Sequence, residues 1–211
     1  MKTLKVQGKG EVSVTPDMCI YSVNVTTKNC DYSSCYNVLN IDVANLREAI
    51  LKAGVTAEQI KTTGYSITAV TSYSRELEKH IPDGYKGTHR VSVEIPLDKK
   101  LMDSVFGAMA RSKSDQSISI SFGVSDPEPA RKQLLRNSVA VAKGNAETIA
   151  EAAGVTLGAI VSIDYGWSEV RFYDDTDYAP QGCCVAEEPA PYIEPNDINQ
   201  TDIVTVVYEI L

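Results

Sequence analysis

The chain has 211 residues, of which 43 % are hydrophobic and 23 % are charged, the balance of an ordinary globular protein. No apolar run approaches the ~20 residues of a membrane-spanning helix, so the sequence predicts no membrane span. The formal net charge is −8 and no basic stripe is present, which disfavours nucleic-acid binding because such binding depends on neutralising phosphates.

The acidity lies in one segment rather than along the whole chain. All twenty Lys and Arg residues precede residue 172, whereas residues 172–199 contain seven acids, four prolines and no base. A connection of this length between two strands is uncommon unless it is functional or disordered. Residues 172–199, called the acidic loop below, are therefore predicted to be an insertion with a role of its own.

The start of the sequence and its cysteines favour the cytoplasm. The first residues, MKTLKVQGKGEV, lack the apolar stretch and small-residue cleavage site of a signal peptide. The five cysteines, an odd number without regular spacing, fit a reduced compartment better than a disulfide framework. We expect a cytoplasmic protein, with an exported or periplasmic one as the alternative if a leader has been removed.

The N-terminal residues alternate with a period of two. Over 4–14 the even positions are apolar or glycine and the odd positions are polar, which predicts a strand with one dry face. Gly8 and Gly10 lie on that face, where the missing side chains allow another element to approach closely or permit a bulge. After a Pro-Asp turn, the same alternation predicts a second strand over 19–25.

A long helix is predicted next, because apolar residues recur every three or four positions. Its stripe consists of Cys35, Leu39, Val43, Leu46, Ile50 and Ala53. Gly54 is predicted to end the helix in a left-handed conformation.

Alternation then returns over 65–73 and 89–95, which predicts two strands joined by a polar connection with a Pro-Asp-Gly turn. His89 is in phase with the apolar residues of its strand, so we predict a core histidine with satisfied hydrogen bonds. A shorter helix is predicted over 99–111.

The pattern restarts with an alternating strand over 118–124. The SDPE tetrapeptide at 125–128 predicts a helix start with a Ser-x-x-Glu capping box and proline in the first turn. The apolar stripe of that helix consists of Leu135, Val139, Ala142, Ala146, Ile149 and Ala153. Two more strands are predicted over 161–167 and 201–211, and the last is apolar enough on both faces to lie inside a sheet.

The tetrapeptide AGVT occurs twice, at 53–56 and at 153–156. Each copy follows a long amphipathic helix and precedes an alternating strand. Further matches at the same offset are Ile60 with Ile160, Tyr65 with Tyr165, Cys35 with Leu135, Leu39 with Val139, and Leu46 with Ala146. The sequence therefore predicts an internal repeat.

We expect one α+β domain over 1–211, built from two pseudo-repeated strand–helix–strand–strand units with largely antiparallel sheets and packed helices. The two sub-repeats span about 1–97 and 115–211, and the short helix joins them. The acidic loop is an insertion in the second sub-repeat.

Four stretches together resemble one family. They are GKGEVSVTPD at 8–17, GYKGTHRVSVEI at 84–95, SDPE at 125–128 and AVAKGNAETIAEAAGVTLGAIVSI at 140–163. In that order they resemble the SIMPL-domain family, also known as domain of unknown function 541, over nearly the whole chain. The resemblance implies a mostly bacterial α+β domain whose members are often exported and associated with stress tolerance, and an animal relative is described as a signalling adaptor. No reaction is established for the family, so the resemblance brings no catalytic residue.

Familiar catalytic and binding motifs are missing from the sequence. The Gly8-x-Gly10 motif is followed by a strand rather than by a third glycine and a helix, so it does not predict a dinucleotide site. Cys30 and Cys35 have no second ligand pair at zinc spacing, and the acids at 174–177 lack the pattern of a calcium loop. His80 lies in a polar turn and is expected to be exposed. We therefore predict no catalytic residue, no cofactor and no metal.

The sequence instead favours a non-enzymatic oligomeric binding or assembly module, with a stress-response link implied by the resemblance. Aromatic residues beside carboxylates suit a protein partner, and a second copy of the chain is one such partner. The candidate contact residues are Trp167, Phe172, Tyr173, Asp174, Asp175, Asp177, Tyr178 and Tyr192. The alternative is a thiol-based redox-responsive protein, or an enzyme with an unrecognised pocket, for which Cys183 and Cys184 are the candidate redox residues.

Overall fold

The structure is a computed structural model that describes residues 2–75, 78–112, 115–166, 172–173 and 194–211. In chain order the elements are β1 (Thr3–Val14), β2 (Met18–Asn29), α1 (Tyr32–Lys52), β3 (Ile60–Ser74), β4 (Lys79–Pro96), α2 (Lys99–Ala110), β5 (Gln116–Gly123), α3 (Glu128–Ala153), β6 (Leu157–Asp164) and β7 (Ile198–Ile210). The pairs β1–β7, β6–β7, β2–β4 and β3–β4 are antiparallel. The predicted α+β class, with antiparallel sheets and packed helices, is confirmed.

The chain divides into two compact units. The described residues of unit 1 are 2–16, 123–166, 172–173 and 196–211, and those of unit 2 are 17–75, 78–112, 115–122 and 194–195. Unit 1 has a three-stranded sheet in the order β1-β7-β6, and unit 2 has a four-stranded sheet in the order β3-β4-β2-β5. The final strand, β7, is central in its sheet, as predicted from its apolar character.

In unit 1, the backbone of α3 packs unusually close to the backbone of β1. Gly8 and Gly10 are buried on the face of β1 toward α3. A Cβ at Gly8 would overlap the backbone of Ser138 and Ala142, and a Cβ at Gly10 would overlap Ser138 and Leu134. The prediction that these glycines allow close approach is confirmed, and α3 is the element that approaches.

The buried face of α3 differs from the predicted stripe. Its buried residues are Ala130, Leu134, Ser138, Ala142, Ala146 and Ala150. Val139 and Ile149, two members of the predicted stripe, are 39 % and 45 % exposed. Where the backbone of β1 comes closest, at Ser138 and Ala142, only small side chains fit, and Val139 and Ile149 lie on the exposed flank of the helix.

Unit 2 contains the larger core, in which alternate residues of β2 and β4 pack against α1 and α2. Its members are Cys19, Tyr21, Val23, Val25, Leu39, Leu46, Ile50, Val55, Ile60, Val91, Val93, Ile95, Val105, Phe106, Met109, Ile120 and Phe122. The predicted stripe of α1 is confirmed, since Cys35, Leu39, Leu46 and Ile50 are all buried. Gly54 follows the helix with φ +104°, as predicted for its end.

The predicted Pro-Asp-Gly turn is wrong. β4 begins at Lys79, and it pairs with β3 as far as Ser74, beyond the tripeptide 82–84. The register of the two strands shifts beside this tripeptide, and Gly84 has φ +82°. The tripeptide therefore forms an irregularity inside the strand, because a glycine at positive φ accommodates a bulge as readily as a turn.

The predicted capping box of α3 is also wrong. The N-cap is Pro127, so Ser125 lies two residues too early to cap the helix. Asp126 takes that role instead, because its Oδ1 accepts a hydrogen bond from the backbone N–H of Glu128 at 3.1 Å. Pro127, predicted to lie in the first turn, is the N-cap itself, and the proline within the first turn is Pro129.

β1 and β2 are consecutive in the chain but belong to different sheets. β1 pairs with β7 in unit 1, and β2 pairs with β4 in unit 2. The compact units therefore do not coincide with the sub-repeats 1–97 and 115–211. The two compact units nevertheless share an order of elements. Along the chain, α1-β3-β4 of unit 2 corresponds to α3-β6-β7 of unit 1, and the strand order β3-β4-β2 in one sheet corresponds to β6-β7-β1 in the other. A duplication agrees with that shared order and stays a prediction.

Candidate functional site

In unit 2, α1 packs on the sheet beside β3, one of the two edge strands of that sheet in the part of the chain that the structure describes. Side chains three or four positions apart on α1 form one stripe toward that edge. We call the space between them the α1–β3 groove. Its lining residues are Tyr32, Tyr36, Asn40, Val43 and Arg47 of α1, with Ile60, Thr62 and Tyr65 of β3.

Arg47 lies at one end of the α1–β3 groove. It lines a small cleft together with the apolar side chains of Val43, Ile60 and Val91 and with Thr62. The Arg47 side chain is exposed, and it forms no ion pair with any residue that the structure describes. This end of the groove can therefore take an apolar group beside a negative charge.

Three tyrosines occupy the other end of the groove. Tyr32, Tyr36 and Tyr65 are 50 %, 47 % and 46 % exposed, so each ring has a free surface. Burial, and then the neighbouring hydroxyls of Tyr36 and Tyr32, raise the pKa of Tyr65, whose hydroxyl is also hydrogen-bonded by the side chain of Asn40. The ring of Tyr32 meets that of Tyr85 edge-on at 5.6 Å. Rings held in this way offer rigid contact area with a polar tip.

His89 lies between the two ends, on the same face of the sheet as Tyr65. Its Nε2 is 3.0 Å from Thr62 Oγ1, and its ring meets that of Tyr65 edge-on at 5.3 Å. The predicted satisfied core histidine is wrong on two points: the residue is only half-buried, and its buried Nδ1 has no partner among the described residues. Burial lowers the pKa of His89 below the usual 6.5. His80 is exposed, as predicted.

A second surface lies in unit 1, at the open edge strand β6. Ile160, Val161 and Ile163 are 53 %, 45 % and 54 % exposed. The register with β7 shifts on both sides of Ile160. Asp164, the last residue, is the one charged residue of the strand. We call this surface the β6 edge, and it lacks the charges that usually protect such strands from pairing with another chain.

Most of the contact residues predicted at the acidic loop lie outside the described residues. These are Trp167, Asp174, Asp175, Asp177, Tyr178 and Tyr192, together with the candidate redox pair Cys183 and Cys184. Phe172 is 3 % exposed and packs with Ala130 and Ile198, so its ring is occupied within unit 1. Tyr173 is 51 % exposed and bridges to Gly123. The loop contact itself stays a prediction.

The described cysteines are held in different surroundings. Burial raises the pKa of the Cys19 thiol to about 12, which keeps it protonated. Cys35 is buried, with its Sγ 3.6 Å from the carbonyl oxygens of Thr27 and Tyr85. Cys30 is exposed. Within the described ranges, no three His, Cys, Asp or Glu residues come together as a metal site would require.

Sequence reasoning missed the α1–β3 groove, although a signal for it was present. A second stripe runs beside the apolar stripe of α1, at Tyr32, Tyr36, Asn40 and Arg47. Its spacing alone indicates one helix face, but polar and aromatic residues on such a face are also typical of a solvated surface. The identity of the strand that this face meets comes only from the fold.

The fold and these two surfaces define a class of protein: an α+β protein of two antiparallel-sheet units, each with an open edge strand beside a helix. The chain belongs to the SIMPL family, described as a protein of unknown function (DUF541), whose family model matches residues 4–208. In the part of the chain that the structure describes, no helix has both the length and the apolar character needed to cross a membrane.

Curated relatives cover much of the chain at low identity. The uncharacterized protein YggE of Edwardsiella ictaluri is 24 % identical over 204 residues, which is 96 % of this chain and 84 % of the relative. The 26 kDa periplasmic immunogenic proteins of Brucella melitensis and Brucella abortus are each 25 % identical over 166 residues, or 76 % of this chain. The alignment spans 65 % of the length of each Brucella protein.

Proposed function

We propose that this protein is a non-enzymatic binding and assembly module that self-associates and serves in stress tolerance. The observation that carries the proposal is the β6 edge, where Ile160, Val161 and Ile163 are each about half exposed on an open strand. Half-exposed aliphatic side chains on an edge strand with a single charged residue favour pairing with another strand. The stress role rests on membership of the family alone.

A second copy of the chain fits the β6 edge by symmetry. When two copies of β6 pair antiparallel about a two-fold axis between Ile160 and Val161, Asp164 of one copy lies opposite Leu157 of the other. No like charges then lie opposite each other, and the aliphatic side chains of the two strands contact one another across the pair. A two-fold contact of this kind uses one surface twice, which is the commonest way to build an oligomer.

The proposal assigns no reaction to the chain. The thiol of Cys19 is kept protonated by burial, and that of Cys35 is occupied by two carbonyl oxygens. His89 Nε2 is 3.0 Å from Thr62 Oγ1, but its Nδ1 has no hydrogen-bond partner among the described residues, so no third group there orients the ring as a general base. The redox alternative depends on Cys183 and Cys184, which lie outside the described residues.

Light scattering after size exclusion tests the self-association. We expect the wild type to form particles with a mass that is a multiple of 22.9 kDa, and Ile163→Lys to move the population toward a single chain. In the pairing above, position 163 lies opposite Gly158, so the lysine brings an uncompensated charge into the paired edge. Ile41→Lys is the matched control, because Ile41 is 59 % exposed on α1 in unit 2. A monomeric wild type, or an Ile163→Lys variant of unchanged mass, would contradict the proposal.

The same measurement separates the β6 edge from the acidic loop. Deletion of residues 174–193, closed by a short Gly-Ser turn, leaves β6 and β7 intact. If the candidate contact residues of the loop hold the assembly, the deletion lowers the particle mass. If the β6 edge holds the assembly, the deletion leaves the number of chains per particle unchanged, whereas Ile163→Lys lowers that number.

The proposed location is outside the cytoplasm. The cytoplasmic expectation has no support from the relatives, and the word periplasmic in the names of both Brucella proteins supports the exported alternative.

A further inference from the structure

The strand β3 offers main-chain groups to an added strand. It is an edge strand of fifteen residues, Ile60–Ser74, and it contains no proline and one charged residue, Lys61. Threonine, tyrosine, isoleucine and valine make up most of it, and these residues favour extended backbone. An open edge of this composition is suited to pairing with another extended segment.

The α1–β3 groove extends alongside this edge, so the side chains of an added strand would enter it. The helix and the strand run in opposite directions, because Arg47 of α1 lies beside Ile60 and Thr62 while Tyr32 and Tyr36 lie beside Tyr65. From Tyr32 to Arg47 the helix rises about 22 Å. That length matches about six or seven residues of extended chain.

The charges around the groove decide what kind of strand fits it. Arg47 lines the groove and has no ion-pair partner among the described residues; Lys61 has none either, but it alternates to the opposite face of β3 from Ile60 and Thr62. A second copy of β3 could not neutralise them, since that strand carries no acid. The complementary segment carries a carboxylate at the Arg47 end.

The tyrosine end sets the remaining requirement. Tyr32, Tyr36 and Tyr65 present half-exposed rings, and the cleft beside Val43 and Ile60 is apolar. Aromatic or aliphatic side chains at every second position of the added segment would contact both. Backbone pairing would supply affinity, and these pockets would supply specificity.

We propose that the α1–β3 groove binds an extended acidic peptide segment of another protein, which adds to β3 as a fifth strand of the unit 2 sheet. Its carboxylate side chain pairs with Arg47, and its alternate apolar side chains contact the cleft and the tyrosines. This site goes beyond the proposed self-association, because it lies in a different unit and uses a different strand.

A random heptapeptide library displayed on phage and selected on the immobilised wild-type protein tests this inference. We expect enrichment of peptides with Asp or Glu, β-branched or aromatic residues at alternate positions, and no proline. The most enriched peptide, labelled with fluorescein, is then titrated by anisotropy. We expect Arg47→Glu to weaken its binding by at least about tenfold, and Tyr65→Ala to weaken it as well. Arg136→Glu, at an exposed position of α3 in unit 1, is the matched control and leaves binding unchanged.

Two changes to the peptide complete the test. Replacing its acid by lysine removes binding if Arg47 recognises a carboxylate, and N-methylation at alternate backbone positions removes it if β3 pairs with the peptide main chain. Arg47→Gln, which has no reversed charge, covers the case in which Arg47→Glu disturbs the fold.

The inference is overturned if no peptide is enriched above a protein-free control, or if the enriched peptide binds wild type and Arg47→Glu equally. It is also overturned if Arg47→Glu lowers the particle mass, because a second copy would then occupy the groove. Ile163→Lys separates this inference from the proposed function, since that variant is expected to lose self-association and to keep peptide binding.

Discussion

At the residue scale, His89 shows how partial burial sets the behaviour of one ring. Thr62 contacts its Nε2 at 3.0 Å and Tyr65 covers one edge, while the buried Nδ1 has no partner in the described part of the chain. A proton on that nitrogen would add a charge where water is partly excluded. Burial therefore lowers the pKa of His89 relative to the unfolded chain.

This residue predicts a stability change with pH. Because the pKa of His89 in the folded protein lies below the unfolded value of 6.5, the unfolded chain binds a proton first as the pH falls. The folded state therefore keeps its full stability above pH ~6.5 and loses stability as the pH falls below that value. We expect His89→Gln, which does not titrate, to lose less stability than the wild type between about pH 7 and pH 5. Urea unfolding at each pH measures the difference. Parallel losses in both proteins would show that His89 does not contribute, and His80 is common to both.

At the element scale, the contact of β1 with α3 depends on the absence of two side chains. Gly8 and Gly10 bring the strand backbone against Ser138 and Ala142, and the small side chains of α3 complete the contact. Unit 2 has a similar feature, because a Cβ at Gly87 would come within 2.9 Å of Leu39 in α1. In both units, a glycine on the sheet sets how closely the long helix packs.

The Gly10 contact gives a prediction with an internal control. We expect Gly10→Ala to lower the free energy of unfolding by about 1–3 kcal/mol, because its Cβ would overlap the buried, hydrogen-bonded hydroxyl of Ser138 and the backbone of Ser138 and Leu134. Gly144→Ala is the matched control: nothing lies within 4 Å of its added Cβ, and it sits in the exposed part of α3. Replacing a helical glycine by alanine should stabilise by about 0.5–1 kcal/mol. Urea midpoints that shift in the same direction for both variants would refute this account.

The edge strands differ in how they are protected. β1 carries Lys5, Lys9 and Glu11 on its outer face, and charges of this kind discourage pairing with another chain. The β6 edge and β3 carry one charged residue each, Asp164 and Lys61. β1 is therefore protected from pairing, whereas β6 and β3 can each accept another strand. Self-association is proposed at β6 and peptide binding at β3.

At the scale of the whole molecule, the two units share an order of elements but differ in the chemistry of their edges. The positions matched at an offset of one hundred are not equivalent in burial, since Leu39 is fully buried and Val139 is 39 % exposed. Tyr65 faces the α1–β3 groove, whereas Tyr165 packs against the core of unit 1. If the units arose by duplication, they have diverged toward different tasks.

The proposed location outside the cytoplasm belongs to this scale and has a direct test. We expect osmotic shock of the native host to release the protein with periplasmic markers, as the names of the Brucella relatives suggest. Immunoblotting of the fractions measures its distribution, with a cytosolic enzyme as the control for lysis. Recovery with that cytosolic enzyme alone would contradict the proposal.

Local sequence patterns were enough to predict the α+β class, the positions of the long helices and strands, and the inward-facing Gly8 and Gly10. These features depend on the periodicity and side-chain size of residues that are close together in the sequence. Long-range packing placed β1 and β2 in different sheets, which no local pattern predicted, because alternation identifies a strand but not its partner. It also decided which face α3 buries, since the close approach of β1 admits small residues and turns Val139 outward. The α1–β3 groove belongs to the same group: its residues come from α1 and β3, and their meeting depends on long-range packing that no local pattern encodes.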